Sequence, residues 1–385
     1  MAALAGPARA ADPGITDTEI LIGLFAPMSG QLAAFGVDPL QAAKMWYEEI
    51  NKKGGIHGRK IKVIIEDDKC SPVEVVSVVK KFITVDKTFI VHGGSCTAPA
   101  VAAQEFVTRE KVPFVMLNAA GDGAVIPATR YVFGAFGGTQ RTVGATIMEF
   151  AIKELKAKKV AMIAHDDDFG NSNTATATAV AKKLGVEMVA LERISPRITD
   201  VTAPMLKVRA ANPDVVISTA YPAPAVLITQ KYGEYGMTKT PIVVAVQGIP
   251  IPAVFAKNVG NDAALANLYY GSPLNDLTDG PKQQPWIQLY KQYYPDRTPG
   301  AFMTYGLPSA MAITRALEKV GKDLTREKFV DAMETTDFES GALAGPTVFA
   351  KDRRDGYRSS IFIKFDGKTH QLMPGVYSWN GKDGM

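Results

Sequence analysis

Four groups of residues have types and spacings suited to chemistry. His92-Gly93-Gly94-Ser95 resembles an oxyanion-hole loop, whose backbone N–H groups would face a developing negative charge. A hydrolase of that design also needs a nucleophile on a G-x-S-x-G elbow, and the chain has none. His165-Asp166-Asp167-Asp168 and Glu66-Asp67-Asp68 offer hard oxygen ligands for Ca²⁺ or Mg²⁺. Neither run has EF-hand spacing and no H-E-x-x-H occurs, so these residues read as caps of strand ends and helix starts. The other histidines, His57 and His370, stand alone in turn-like contexts. A dinucleotide enzyme would need G-x-G-x-x-G after a strand, and a P-loop needs G-x-x-x-x-G-K-[ST]; both are missing. The expectation is a protein with no catalytic residues, metal or cofactor.

The fourth group binds rather than reacts. Gly93-Gly94-Ser95-Cys96-Thr97-Ala98-Pro99 precedes a helix, with Thr97 near the cap and Pro99 in the first turn. Glycines let backbone N–H groups approach a ligand, and a helix N-terminus favours a carboxylate or phosphate. Asn118-Ala119-Ala120-Gly121 ends the next strand at the same sheet edge. In an open α/β sheet the crevice beyond the strands' C-terminal ends is where ligands bind.

The elements that carry these loops alternate. Apolar strands are expected at 60–67, 88–92 and 112–116 after an opening EILIGLFAP strand, with helices at 40–53, 72–85 and 99–109 between them. The pattern restarts with helix 140–155, strand 159–164, helix 172–184, strand 187–193, helix 201–210, strand 215–220, helix 224–235 and strand 241–246. Strands separated by helices of ten or more residues mean parallel sheets with right-handed crossovers. The last third, with helices at 281–294, 302–320 and 325–334 and a strand at 360–365 before a Gly-rich tail, is too small for a third domain and should complete the first two. A length of 385 residues itself favours two domains.

Composition narrows the class further. With 46% hydrophobic and 21% charged residues the chain is globular in type. Its net charge of +4 is small and mixed, with no basic tract or aromatic-basic motif for nucleic acid. No apolar run is long enough to cross a bilayer. The Ala-rich start, with Ala8-Arg9-Ala10 as an A-x-A pattern, reads as the tail of a secretory signal. Cys70 and Cys96 each follow a strand and its loop; adjacent parallel strands would bring them within disulfide reach, contributing roughly 3 kcal/mol. Both features point to an oxidising compartment.

At this point the chain resembles the periplasmic leucine/isoleucine/valine-binding proteins, type I solute-binding components of ABC transporters. The likeness spans nearly the whole chain. It rests on Pro27-Met28-Ser29-Gly30, Glu49-Ile50-Asn51 to Gly54-Gly55-Ile56-His57-Gly58, Asp67-Asp68 before Cys70, and Cys96 with its Thr97-Ala98-Pro99 helix start. Asn212-Pro213-Asp214-Val215-Val216, Gly300-Ala301-Phe302, Tyr305 and Gly345-Pro346 extend it.

The resemblance implies two α/β lobes, each a mostly parallel sheet flanked by helices, joined by three crossovers near 135–138, 270–273 and 351–356. Residues 1–14 would be leader, 15–137 with 272–352 the N-terminal lobe, and 138–271 with 353–385 the C-terminal lobe. It implies a Cys70–Cys96 disulfide and a ligand held between the lobes by Phe35, Ser95, Thr97, Ala119 and Gly121 on one side and Phe169, Tyr221 and Gln247 on the other, with Tyr305 as a further aromatic wall. Two positions depart from the amino-acid binders of the family. Gly121 stands where they present a hydroxyl, and Gln247 where they present an acid to the ligand's ammonium. A buried ammonium facing a neutral amide would lack its counter-ion, at a cost of several kcal/mol. The expected ligand is therefore a small organic acid with an aromatic or hydrophobic body, its carboxylate on Thr97 and backbone N–H groups; Arg141 and Arg197 read mainly as surface residues. The expected protein is a periplasmic, monomeric carrier that passes its cargo to membrane permease subunits and binds no nucleic acid. A branched-chain amino acid carrier and a ligand-binding sensor of the same fold are the alternatives.

Overall fold

The computed structural model describes residues 12–382 except 31, 120, 137, 138, 250 and 301, and the backbone alone at 34. Residues 1–11 of the expected leader, Ala120, Ala301 and residues 137–138 of the expected first crossover lie outside the described residues.

Following the chain, β1 (Glu19–Ala26), α1 (Ala33–Lys52), β2 (Lys60–Asp67), α2 (Pro72–Thr84), β3 (Ile90–Gly93), α3 (Thr97–Arg109), β4 (Phe114–Met116) and β5 (Val132–Gly134) come first. They form a five-stranded parallel sheet in the order β2-β1-β3-β4-β5. The apolar stripe of α2, Val75, Val78, Val79, Phe82 and Ile83, packs on Phe25, Val91 and Phe114 in the sheet's core. Ser71 caps that helix through its side chain, with Pro72 at the first position, as helix starts prefer.

A second series follows: α4 (Gln140–Lys153), β6 (Lys159–His165), α5 (Asp168–Lys183), β7 (Glu187–Ile194), α6 (Thr202–Ala210), β8 (Val215–Thr219), α7 (Pro222–Glu234), β9 (Ile242–Val244), α8 (Pro252–Val259), α9 (Asp262–Leu265), β10 (Leu268–Ser272) and α10 (Gln284–Tyr293). The chain then adds α11 (Leu307–Val320), α12 (Arg326–Met333), a small antiparallel pair β11 (Asp337–Phe338) and β12 (Thr347–Val348), and finally β13 (Ser359–Phe365), β14 (His370–Leu372) and β15 (Tyr377–Ser378). In the second sheet β7, β6, β8, β9 and β10 run parallel, and β13 joins β10 antiparallel with β14 and β15 on its far side. Its core gathers Ile163, Val216, Ile228, Tyr232, Val244 and Phe255.

The chain divides into two compact units: Met1–Phe136 with Tyr293–Phe338 and Thr347–Gly356, and Gly137–Gln292 with Glu339–Pro346 and Tyr357–Met385. Residues 272–292 and 339–346, given to the first lobe on sequence, fall in the second unit, and 353–356, given to the second lobe, fall in the first.

Several elements differ from expectation. The tail after β13 is not merely Gly-rich but supplies β14 and β15. The strands before the two cysteines are not adjacent, because β1 lies between β2 and β3; the disulfide nonetheless forms, with Cα atoms 5.7 Å apart. Helix α1 begins seven residues before the expected start, so Pro39 is interior to it and Phe35 is helical rather than in a loop. A proline inside a helix leaves the carbonyl four residues earlier without its N–H donor. That carbonyl belongs to Phe35, and the Asn118 side-chain amide donates to it at 3.1 Å, which compensates the loss.

Candidate ligand-binding half-sites

Ser95 and Thr97 follow β3 and Ala119 and Gly121 follow β4, while Phe169, Tyr221 and Gln247 follow β6, β8 and β9. Phe35 in α1 and Tyr305 in the turn before α11 lie off the strand ends. Strand order reverses between β1 and β3 in the first sheet and between β6 and β8 in the second. The C-terminal strand ends at such a reversal are where open α/β sheets leave a crevice.

In the first unit, β3 turns through Gly94, whose positive φ of 86° suits a residue without a Cβ. The Gly94 carbonyl accepts from the N–H groups of Asn118 and Ala119, which fastens the β4 loop to the β3 loop. Cys96, not Thr97, is the N-cap of α3 and contributes no side-chain bond, so Thr97 is the first helical residue and is exposed. By position, the Thr97 and Ala98 N–H groups lack intrahelical acceptors and point out of the helix start. The Ser95 hydroxyl is buried without a partner among the described residues. Gly121 lies hard against Thr97: a Cβ at Gly121 would sit 1.8 Å from the Thr97 methyl. Donors for an anion are thus clustered at Ser95 and Thr97.

Beneath this loop, His92 is fully buried. Its Nδ1 lies 2.8 Å from the Tyr47 hydroxyl and its Nε2 2.9 Å from the Ser309 hydroxyl. Ser309 donates to the Gly306 carbonyl, so His92 must donate from Nε2 and accept at Nδ1. Burial holds this imidazole neutral, with its pKa lowered to about 3. It is a structural group under the loop and takes no part in an oxyanion hole.

An aromatic row flanks the loops. Phe35 stacks on Phe302 (centroids 4.9 Å), Phe302 meets Tyr305 edge-on (5.4 Å), and Tyr305 stacks on Phe136 (4.0 Å). Phe35 is 39% exposed at one end, whereas Tyr305 is buried. Sequence reading found Phe35 and Tyr305 but missed Phe136 as a member of the row and Asn118 as the group that orients Phe35.

In the second unit, Asp167 caps α5 by accepting from the Gly170 N–H at 2.9 Å. This places Phe169 in the first turn, with its ring 4.8 Å from that of Tyr221. Tyr221 is the N-cap residue of α7 and is 37% exposed; burial of its ring raises its pKa to about 12. Arg193 braces the α5 start by donating to the Gly170 carbonyl, Thr174 and Asn171. Gln247 sits in a 3-10 turn, Val246–Gly248, after β9, and its Oε1 is buried without a partner among the described residues. Arg197 is exposed at the surface.

The carboxylates of the Glu66-Asp67-Asp68 run are engaged with neighbouring protein groups. Asp67 accepts from the Met28 N–H, the Ser29 hydroxyl and the Lys69 N–H, and Glu66 pairs with Lys81. Among the described residues, no group of three or more His, Cys, Asp or Glu is placed to hold a metal ion. Among them also, no helix is long and apolar enough to cross a membrane.

Each sheet thus presents polar groups and aromatic side chains beyond its strand ends. The profile of the family described as periplasmic binding protein matches residues 19–369, and the chain belongs to that family. It is 26% identical to the Leu/Ile/Val-binding protein homolog 7 of Brucella abortus, over 97% of this chain and 96% of that one. Among solved structures it superposes with TM-score 0.72 on a branched-chain amino acid transporter substrate binding protein from Streptococcus pneumoniae in complex with isoleucine (23% identity, 92% of this chain, 99% of that chain). It superposes with TM-score 0.75 on an ABC transporter solute binding protein from R. palustris in complex with 4-hydroxybenzoate (19% identity, 94% and 97%). The fold is therefore the type I periplasmic binding fold. Proteins of this family are binding components, not enzymes, and deliver small ligands to ABC transporter permeases.

Proposed function

We propose that this protein captures a small aromatic or hydrophobic carboxylate, held jointly by the two half-sites, and presents it to a membrane permease for import. The observation that carries the reading is Gln247, a neutral side chain whose buried oxygen has no partner among the described residues, at the position where the resemblance implies an acid in amino-acid binders. A phenol or other hydroxyl can satisfy that oxygen without bringing a charge. An ammonium in the same place would be left without a counter-ion. The Ser95 and Thr97 donors suit the carboxylate, and Phe35, Tyr305, Phe169 and Tyr221 suit a ring. The R. palustris neighbour bound to 4-hydroxybenzoate supports this ligand class.

A branched-chain amino acid is the second reading, favoured by the Leu/Ile/Val-binding relative and by Asp167, a carboxylate two residues from Phe169. Asp167 is largely committed, however: one oxygen caps α5 and the other lies 3.7 Å from His165. On this reading the carrier works in the periplasm as a monomer, after removal of a secretory leader. Differential scanning fluorimetry against benzoates, cinnamates and branched-chain amino acids tests the reading. Stabilisation by the aromatic acids is expected; stabilisation by leucine or isoleucine alone would overturn it.

A further inference from the structure

His165 ends β6 and its side chain is fully buried. Its Nε2 accepts from the backbone N–H of Tyr221 at 3.2 Å, and its ring meets the Tyr221 ring edge-on at 4.4 Å. A backbone N–H can bond only to a bare ring nitrogen, so the proton of the neutral imidazole must be on Nδ1. Nδ1 is buried and lies 3.7 Å from the Asp167 carboxylate. The exposed aromatic wall at Tyr221 is therefore held from behind by one histidine in one tautomer.

We propose that His165 is a positioning residue for ligand capture: its neutral Nδ1–H form holds Tyr221 in place, and its protonation in acid releases Tyr221 and weakens binding. A second proton would arrive on Nε2 and set two N–H donors against each other across a 3.2 Å contact, so the head of α7 must shift. Among the described residues, the charged groups that act on His165 are Asp167 on α5 and Arg193 on β7; Asp166 is exposed and lies near Arg193, and at the head of α7 the titratable group against the ring is Tyr221. Burial, the larger effect, and Arg193 oppose the second proton, while Asp167 favours it; the net shift is downward from the usual 6.5. The hold is intact at neutral pH and is lost as pH falls. The role in capture rests on the reading of Tyr221 as a ligand wall; the hold on Tyr221 does not.

The test separates the two. In ¹⁵N-labelled protein without ligand, NMR should show His165 protonated at Nδ1 and bare at Nε2 near neutral pH. On acidification the Tyr221 amide proton should move with the imidazole, at a midpoint below 6.5. A proton on Nε2, or a Tyr221 amide that ignores His165, overturns the proposal in the wild-type protein, without a variant. His165→Gln keeps an acceptor oxygen near the Nε2 position and cannot titrate. The ratio of wild-type to variant Kd for 4-hydroxybenzoate should rise at least about fivefold between neutral pH and one pH unit below the midpoint that the NMR titration gives, a ratio in which the ligand's own titration cancels. Equal Kd values at both pH values overturn the link to capture. If neither protein binds the probe near neutral pH, the ligand reading fails, and the NMR result alone decides whether His165 holds Tyr221.

Discussion

Gly121 and Thr97 share a space too small for a second side chain. A methyl at Gly121 would overlap the Thr97 methyl at 1.8 Å and its hydroxyl at 2.7 Å. Gly121→Ala is expected to cost about 1–3 kcal/mol, as overpacking does, and to weaken ligand binding at Thr97. Thr97→Ala should relieve part of that cost, so urea denaturation of the two single variants and the double variant should give a coupling above about 0.5 kcal/mol. Strict additivity would contradict the contact. Asp68 makes a second prediction at this scale. It is fully buried beside Cys70, with Oδ2 unpartnered among the described residues, and burial raises its pKa from 3.8 to about 6. The folded state thus holds this proton more tightly than the unfolded chain, and ionising Asp68 costs stability as pH rises from about 4 to about 6. Asp68→Asn should be more stable than wild type by roughly 1–3 kcal/mol at neutral pH, and the gain should vanish near pH 3.5. An equal effect at both pH values, by urea melts, would refute the assignment. What was legible at this scale from residue type next to a strand end was the cysteine pair and the 118–121 loop, whereas Gln247 entered only through the family resemblance. The role of Asn118 was not legible, because its task is to replace an N–H missing from a helix some eighty residues earlier, and no local pattern records that.

At the scale of elements, the long apolar strands and amphipathic helices followed from periodicity, while short or paired-late elements did not. β5 has three residues and β10 gives no alternation, since it is flanked by β9 and β13 and buried throughout. Pro39 hid the first two turns of α1, since proline ordinarily marks a helix start and here its missing bond is made good from another element. The segment carrying β12 is held to the first unit by a buried ion pair that no spacing announces. Arg354 donates to Glu334 at 2.6 Å, to the Thr129 and Ala350 carbonyls, and lies over the Phe133 ring; Arg130 also reaches Glu334. Both partners are almost wholly buried. Glu334→Ala leaves the Arg354 charge in the core and should cost about 3–5 kcal/mol, whereas replacing the exposed partner Asp331 should change stability by less than about 1 kcal/mol. Chemical denaturation distinguishes them; similar losses for both would show that the buried pair does not anchor the segment.

For the whole molecule, the two sheets place comparable chemistry at comparable positions. One offers hydroxyl and N–H donors with an aromatic row, the other a pair of rings with a neutral amide. The reading of a two-unit α/β carrier was available from the sequence because the βα alternation restarts near residue 140 and the motifs fall at strand ends. For the ligand the sequence supports only a proposed class, since class follows from charge at a few positions whereas identity follows from the detailed shape of the site. The account therefore rests on charge at Gln247. Isothermal titration of the wild-type protein and Gln247→Glu with 4-hydroxybenzoate and with leucine tests it most directly. Wild type should bind the aromatic acid and not leucine, and Gln247→Glu should lose at least about tenfold in affinity for the aromatic acid, about 1.4 kcal/mol. Tight binding of leucine by the wild-type protein, with no response to 4-hydroxybenzoate, would contradict it.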